Sequence, residues 1–193
     1  VGIMPYTFVG YNIANTSKEG AQTVAREYQG EGGINRTYLG LGYKIAPNLS
    51  IGVEAAYNFG DTQNNSMKFI TDDGTGLAID RGSRQVISND YSGFSFNTAV
   101  NYSLLFEKHM KLDFTATYSP EVTLKNTQVS TLSTVGFDSS GSLGTIDQIV
   151  SPSSKNDLII PQKYTFGVGY GKTHKWFLGA EYTGTQNSKL NAA

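Results

Sequence analysis

The sequence contains no cysteine, which excludes a disulfide framework and a metal site built from thiolates. Basic residues are not in excess: the formal net charge is −1, so nucleic acid is not expected as a partner. No apolar run approaches the roughly 18 residues that a membrane-spanning helix requires. Only two histidines are present, so acid–base catalysis of the common kind has few candidates.

What is abundant favours β-strands. The chain has 22 glycines, 12 tyrosines and 10 phenylalanines, and aromatic residues are enriched in strands. In residues 49–60, LSIGVEAAYNFG, the odd positions are apolar or aromatic and the even positions are mostly polar or small. This period of two indicates a strand with two unlike faces, because the helical period of 3.6 would mix them.

The same alternation predicts seven strands whose connections alternate in length. The strands are expected near 2–14, 34–46, 49–60, 91–104, 110–124, 158–172 and 176–188. Short turns are expected at 46–48, 105–109 and 173–175, and long polar loops at 15–33, 61–90 and 125–157. Short periplasmic turns and long extracellular loops are typical of outer-membrane barrels. We therefore predict an all-β, transmembrane, antiparallel up-and-down β-barrel in the outer membrane of a Gram-negative cell, surrounded by lipid and lipopolysaccharide.

Aromatic residues fall near both ends of the predicted strands, always on the apolar face. Tyr43, Tyr102, Tyr170 and Trp176 lie near short turns, and Tyr57, Phe59, Phe94, Tyr118 and Tyr182 lie near long loops. Two aromatic belts around an aliphatic band are expected of a surface that faces lipid. The alternative is a soluble sheet with one buried face, which would also alternate but would need neither the belts nor the asymmetric loops.

The polar face of the strands is predicted to point inward. The candidates for lining the lumen are Arg36, Tyr38, Gly40, Gly42, Lys44, Gly52, Glu54, Asp113, Gly167, Gly169, Gly179 and Glu181. The central strand glycines share this face, and none is expected on the lipid face. They predict a recessed inner wall against which a solute or a plug segment can lie, or alternatively they only ease coiling of the sheet.

We expect no enzyme, metal or cofactor. His109 and His174 fall in short turns, away from the predicted lumen, so they are interpreted as solvated turn residues. Asp72-Asp73-Gly74 lacks the ligand spacing of an EF-hand loop, so a plain turn is the preferred interpretation over calcium binding.

Three segments resemble the FadL family of outer-membrane transport proteins. They are 28–60, with the string LGLGYKIAPNLSIGVEAAYNFG, 90–102, and 158–183, with LIIPQKYTFGVGYGKTHKWF. The resemblance implies a 14-stranded barrel with an N-terminal plug that takes up hydrophobic small molecules, such as long-chain fatty acids, by passive diffusion. The alternative is a barrel without transport activity, either an adhesin or a subunit of a larger complex with outer-membrane protein partners.

Seven antiparallel strands cannot close a barrel, because the first and last would run parallel, and bacterial barrels have even strand numbers. Neither a signal peptide nor a terminal aromatic residue is present. Residues 1–193 are therefore expected to be part of one transmembrane β-barrel domain, with the plug and the closing strands outside this sequence.

Overall fold

A computed structural model describes residues 1–20, 22–72, 78–106, 110–137, 142–172 and 175–186. All its regular elements in these ranges are β-strands, and none of the described residues forms a helix able to cross a membrane. The strands are β1 (Gly2–Glu19), β2 (Gln22–Ala46), β3 (Leu49–Asp72), β4 (Ala78–Phe106), β5 (Met110–Ser119), β6 (Val122–Phe137), β7 (Leu143–Val150), β8 (Ser154–Lys155), β9 (Leu158–Ile160), β10 (Lys163–Lys172) and β11 (Trp176–Thr185).

The strands form an antiparallel sheet curled into a half-barrel, which confirms the predicted fold class. Seven strands follow one another in the order β1-β2-β3-β4-β5-β10-β11, and every pairing along this path is antiparallel. The tight turn predicted at 46–48 joins β2 to β3. The other two predicted turns include residues 107–109 and 173–174, which lie outside the described residues.

The three long loops were wrongly predicted, because most of their residues are in strands. β1 and β2 continue as a hairpin to residues 19 and 22, and β3 and β4 continue well past residues 60 and 91. Most of 125–157 forms β6, β7 and β8. These segments are rich in Asn, Gln, Ser and Thr, a composition that predicts loops. Backbone hydrogen bonds to the neighbouring strands hold these segments as strands despite that composition.

Two predicted strands are each divided at a proline. Pro120 separates β5 from β6, and Pro161 separates β9 from β10. Proline has no backbone N–H to donate to a ladder, so it favours a break at these points. The break allows a fork: β4 pairs with β5 through its residues 98–106 and with β6 through its residues 81–92. Beside residues 98–106 of β4, which we call below the fork, the sheet continues through β5, β10 and β11. Beside residues 81–92 of β4, above the fork, it continues through β6 and β7. We call these two parts the lower sheet and the upper sheet.

A small ribbon crosses the inner side at the fork. It consists of residues 122–124 of β6 paired with β9. Leu124 of this ribbon is fully buried and lies directly over Gly93 of β4, where a Cβ would be 2.7 Å from Leu124 Cδ2. The ribbon therefore sits against the sheet at a point where the sheet has no side chain.

A bulge sets which residues of β1 face inward. The register of β1 against β2 shifts between Pro5 and Thr7, where proline has no backbone N–H to donate. Tyr6 sits in this bulge, and its ring packs against the guanidinium of Arg36, 4.1 Å from the ring centroid. Tyr6 therefore shares the inner side with Arg36.

Candidate functional site

The register of the lower sheet separates two chemically different faces. One row across six strands is Tyr43, Ile51, Val100, Ala116, Phe166 and Tyr182. The neighbouring row on the other face is Lys44, Ser50, Asn101, Thr115, Gly167 and Glu181. Large apolar side chains of the first face stand free, with Leu41 at 66% and Leu178 at 73% exposure. This outer face also carries Val53 and Phe114, and the inner face carries the polar residues that were predicted to line the lumen.

Hydrogen bonds organise the polar inner face. Arg36 Nε donates to Asn58 Oδ1 at 2.9 Å, and Asn58 Nδ2 donates to Ser95 Oγ at 2.9 Å. Asn58 is fully buried, so its amide depends on these partners for its hydrogen bonds. Asn97 Nδ2 donates to Glu54 Oε1 at 2.7 Å. The sequence predicted Arg36 and Glu54 as lumen residues, but not their hydrogen bonds to Asn58 and Asn97.

Nearer the short turns, Asp113 joins a second polar cluster. Its carboxylate lies 2.8 Å from Lys111 Nζ and accepts a hydrogen bond from Ser103 Oγ. Lys44 and Glu181, which belong to one row of the sheet, lie on strands separated by β3, β4, β5 and β10. The polar side chains of the inner face therefore interact within local clusters, and its oppositely charged residues are not all close enough to pair.

The predicted recess formed by the glycines is present at Gly40, Gly42, Gly52 and Gly167 but not at Gly169 and Gly179. A Cβ at Gly40, Gly42 or Gly52 would meet nothing closer than 3.8 Å, and Gly167 is equally open. At Gly169 and Gly179, the ring of Phe177 already occupies the space that a Cβ would take. The prediction of an open wall at Gly169 and Gly179 was therefore wrong, because Phe177 folds over both from the same face.

One glycine contradicts the prediction that the outer face has none. Gly184 of β11 is on the outer face, opposite Tyr164 of β10. The Tyr164 ring covers it, since a Cβ there would be 2.3 Å from Tyr164 Cζ. Aromatic cover of a strand glycine replaces the packing that the missing side chain would give.

A cavity of about 340 Å³ lies on the inner side at the fork. Tyr6 of β1 and Thr185 of β11 both line it, so both edge strands of the lower sheet contribute to its wall. Its other walls include Arg36, Lys163 and Ile160. The ribbon contributes to this lining, so the inner space is partly filled at the level of the fork.

The inner side of the upper sheet carries apolar residues among polar ones, unlike the polar inner face of the lower sheet. The inner side continues through a row made of Ile13, Tyr28, Ser66, Gln85, Leu132 and Ile149. The outer side at the same height carries Ala14, Glu27, Met67, Arg84, Ser133 and Gln148. This surface was not predicted, because the polar composition of these segments indicates loops.

An ion pair links β1 and β2 at the end of the upper sheet farthest from the fork. Arg26 of β2 donates a hydrogen bond to Glu19 of β1 at 2.5 Å, and a second one to Ser17 at 2.9 Å. The hydrogen bond from Arg26 lowers the pKa of the Glu19 carboxyl below its ordinary value, and the positive charge of Arg26 adds to this effect. The pair is exposed, so it orders the hairpin tip more than it stabilises the fold.

A family model described as BamG matches residues 1–193, which is the entire chain. No curated protein matches. The match contradicts the resemblance to FadL transport proteins. It points to an outer-membrane protein related to the BAM complex, and so favours a subunit of a larger complex over a fatty-acid channel. His109, His174, Asp73 and Gly74 lie outside the described residues.

Proposed function

This chain belongs to the BamG family, and from that premise we propose that it is a non-catalytic subunit of the BAM assembly in the outer membrane. The observation that carries the proposal is the match over all 193 residues. In this proposal the lower sheet is part of a transmembrane barrel wall, and the upper sheet stands outside the membrane.

The dimensions of the outer face support a position in the membrane. Tyr57 and Phe94 pack with ring centroids 5.0 Å apart near the fork, and Tyr170 and Trp176 pack at 5.6 Å near the short turns. From Ile51 to Phe59, β3 rises about 26 Å along the strand. A strand tilt of about 40° reduces this to about 20 Å, close to the roughly 25 Å apolar band of outer-membrane barrels. Beyond Phe59 the outer face carries Asp61, as expected outside the hydrocarbon.

The edges of the lower sheet support an assembly with further strands. Among the described residues, β1 pairs only with β2, and β11 pairs only with β10. Unpaired backbone groups in hydrocarbon cost several kcal/mol each. β1 and β11 run in the same direction, so an antiparallel closure takes an odd number of additional strands. We propose that such strands cover both edges in the intact membrane protein.

Affinity purification from native outer membranes tests the proposed function. Full-length tagged protein is extracted in a mild detergent, and the recovered partners are identified and quantified by mass spectrometry. We expect known BAM subunits in a fixed ratio to the tagged chain, and an unrelated tagged barrel from the same cells as the control should not recover them. Recovery of the tagged chain without BAM subunits, with normal insertion in the membrane, would refute the proposal.

A further inference from the structure

The inner face of the upper sheet carries large apolar side chains that nothing in the described part of the chain covers. Tyr11, Ile13 and Tyr28 form one group on β1 and β2, and Leu132 and Ile149 form another on β6 and β7. Their exposures range from 39% at Tyr28 to 65% at Ile149. Ser66 and Gln85 lie between the two groups. We call these five apolar residues the inner platform.

Lipid does not account for the inner platform. The outer face at this height carries Glu27 and Glu31, and Asp61 and Asp90 are paired just above the aromatic belt of Tyr57 and Phe94. Charged side chains are placed outside the hydrocarbon because their desolvation is costly. The platform therefore stands in water on both sides of the sheet, where exposed apolar surface of this kind marks a site of protein contact.

The size of the inner platform fits one side of a protein interface. Its five side chains, about half exposed on average, present about 450 Å² of apolar surface. A partner in a standard interface buries about 800 Å², of which somewhat more than half is apolar. The platform thus supplies the apolar share of one such surface.

The shape of the sheet selects the kind of occupant. The platform is on the inner side of a sheet that curls into a half-barrel. Two copies of a concave surface touch only at their rims, so a second copy of this chain fits poorly. A convex protein surface with aliphatic or aromatic side chains fits both the curvature and the chemistry.

We propose that the inner platform is the docking surface for another subunit of the BAM assembly, which presents a convex apolar surface outside the membrane. This inference rests on the proposed function for the identity of the partner. It adds the location of the contact: the inner face of the upper sheet, reached from the side of the membrane opposite the turn at Pro47–Asn48.

Site-specific photocrosslinking tests the location. A benzoylphenylalanine is placed at Tyr28 or Ile149 in the full-length protein in native cells. The matched controls are Gln29 and Gln148, because each is exposed, adjacent in the chain and on the opposite face. We expect the probes at Tyr28 and Ile149 to form adducts with an identified BAM subunit, at least tenfold more than the control probes.

Charge substitution provides the second measurement. The double variant Leu132→Asp and Ile149→Asp should reduce recovery of that subunit at least tenfold, whereas Gln148→Asp should leave it unchanged. Both variants should reach the outer membrane in normal amounts, as monitored by the gel shift between heated and unheated samples. If BAM subunits co-purify with wild type and with the double variant alike, the proposed function stands and this inference fails. Adducts with the same chain, with a second copy or with lipopolysaccharide would also overturn it.

Discussion

Substituting Gly93 should release the inner ribbon from the sheet. A Cβ at this position would lie 2.7 Å from Leu124 Cδ2, 3.2 Å from Leu124 Cα and 3.3 Å from the Thr123 carbonyl oxygen. The Leu124 methyl group can turn aside, but the two backbone atoms move only if the ribbon moves. Gly93→Val therefore forces the ribbon outward, while valine itself suits a strand.

The magnitude follows from what the ribbon buries. Leu124 is fully buried, and exposing such a side chain costs about 1.5–3 kcal/mol. If about 3 kcal/mol of local stability is lost, the population in which the ribbon is open rises roughly 150-fold. Native-state trypsin cleavage after Lys125, which follows the ribbon directly, reports this population when opening is fast relative to cleavage.

The matched control is Gly40→Val. Gly40 is also on the inner face of a strand, but its nearest neighbour is the Val53 carbonyl oxygen, 3.9 Å from a Cβ. We expect cleavage after Lys125 to accelerate about 100-fold in Gly93→Val and less than threefold in Gly40→Val. Equal rates in the two variants would show that the ribbon does not depend on the missing side chain of Gly93.

Three further predictions concern other contacts. Leu124→Ala should destabilise the protein by about 2–5 kcal/mol, since it leaves a cavity beneath the ribbon; urea unfolding of detergent-refolded protein measures this, and no change would contradict the packing. Arg36→Leu should cost about 1–3 kcal/mol, because buried Asn58 Oδ1 loses its donor; the same assay checks it, with Lys44→Leu as an exposed control on the same face. Glu19→Gln should loosen the β1–β2 tip only above the acid range. Because the pKa of Glu19 is lowered in the fold, its stabilising effect is present above the unfolded-state pKa and is lost as the pH falls through the folded-state pKa; hydrogen exchange at the tip should differ between variant and wild type at neutral pH and converge in acid.

The lower sheet was predictable because its two faces differ strongly. The outer positions Ile51, Val53 and Tyr57 are apolar, and the inner positions Glu54 and Asn58 are polar. Alternation alone therefore predicts the strand and assigns its two faces. The register then follows from the tight turn at residues 47–48. A one-residue slip would place Glu54 on the apolar face, which is why this part of the fold is encoded so clearly.

The upper sheet was not predictable on the same principle. Around Asn64, Asn65 and Ser66 neither face of β3 is apolar, so the sequence there has the composition of a loop. Its strands are specified by pairing with neighbours distant in sequence, which a local pattern does not contain. The cover of Gly169 by Phe177 is hidden for the same reason, because it depends on a contact between two strands and not on spacing within one.

The fork in β4 explains how one chain presents two surfaces in different surroundings. β4 is long enough to belong to both sheets, and its inner side carries Ser95 and Asn97 below the fork and Asn89, Ile87 and Gln85 above it. Because side chains alternate strictly along a strand, no bend is needed to bring an apolar residue such as Ile87 to the inner side. Pro120 ends β5 at the fork, so that β6, and with it Leu132, joins only the upper sheet. The apolar outer face of the lower sheet suits lipid and the inner platform suits a protein, and the position of the fork determines where one environment gives way to the other.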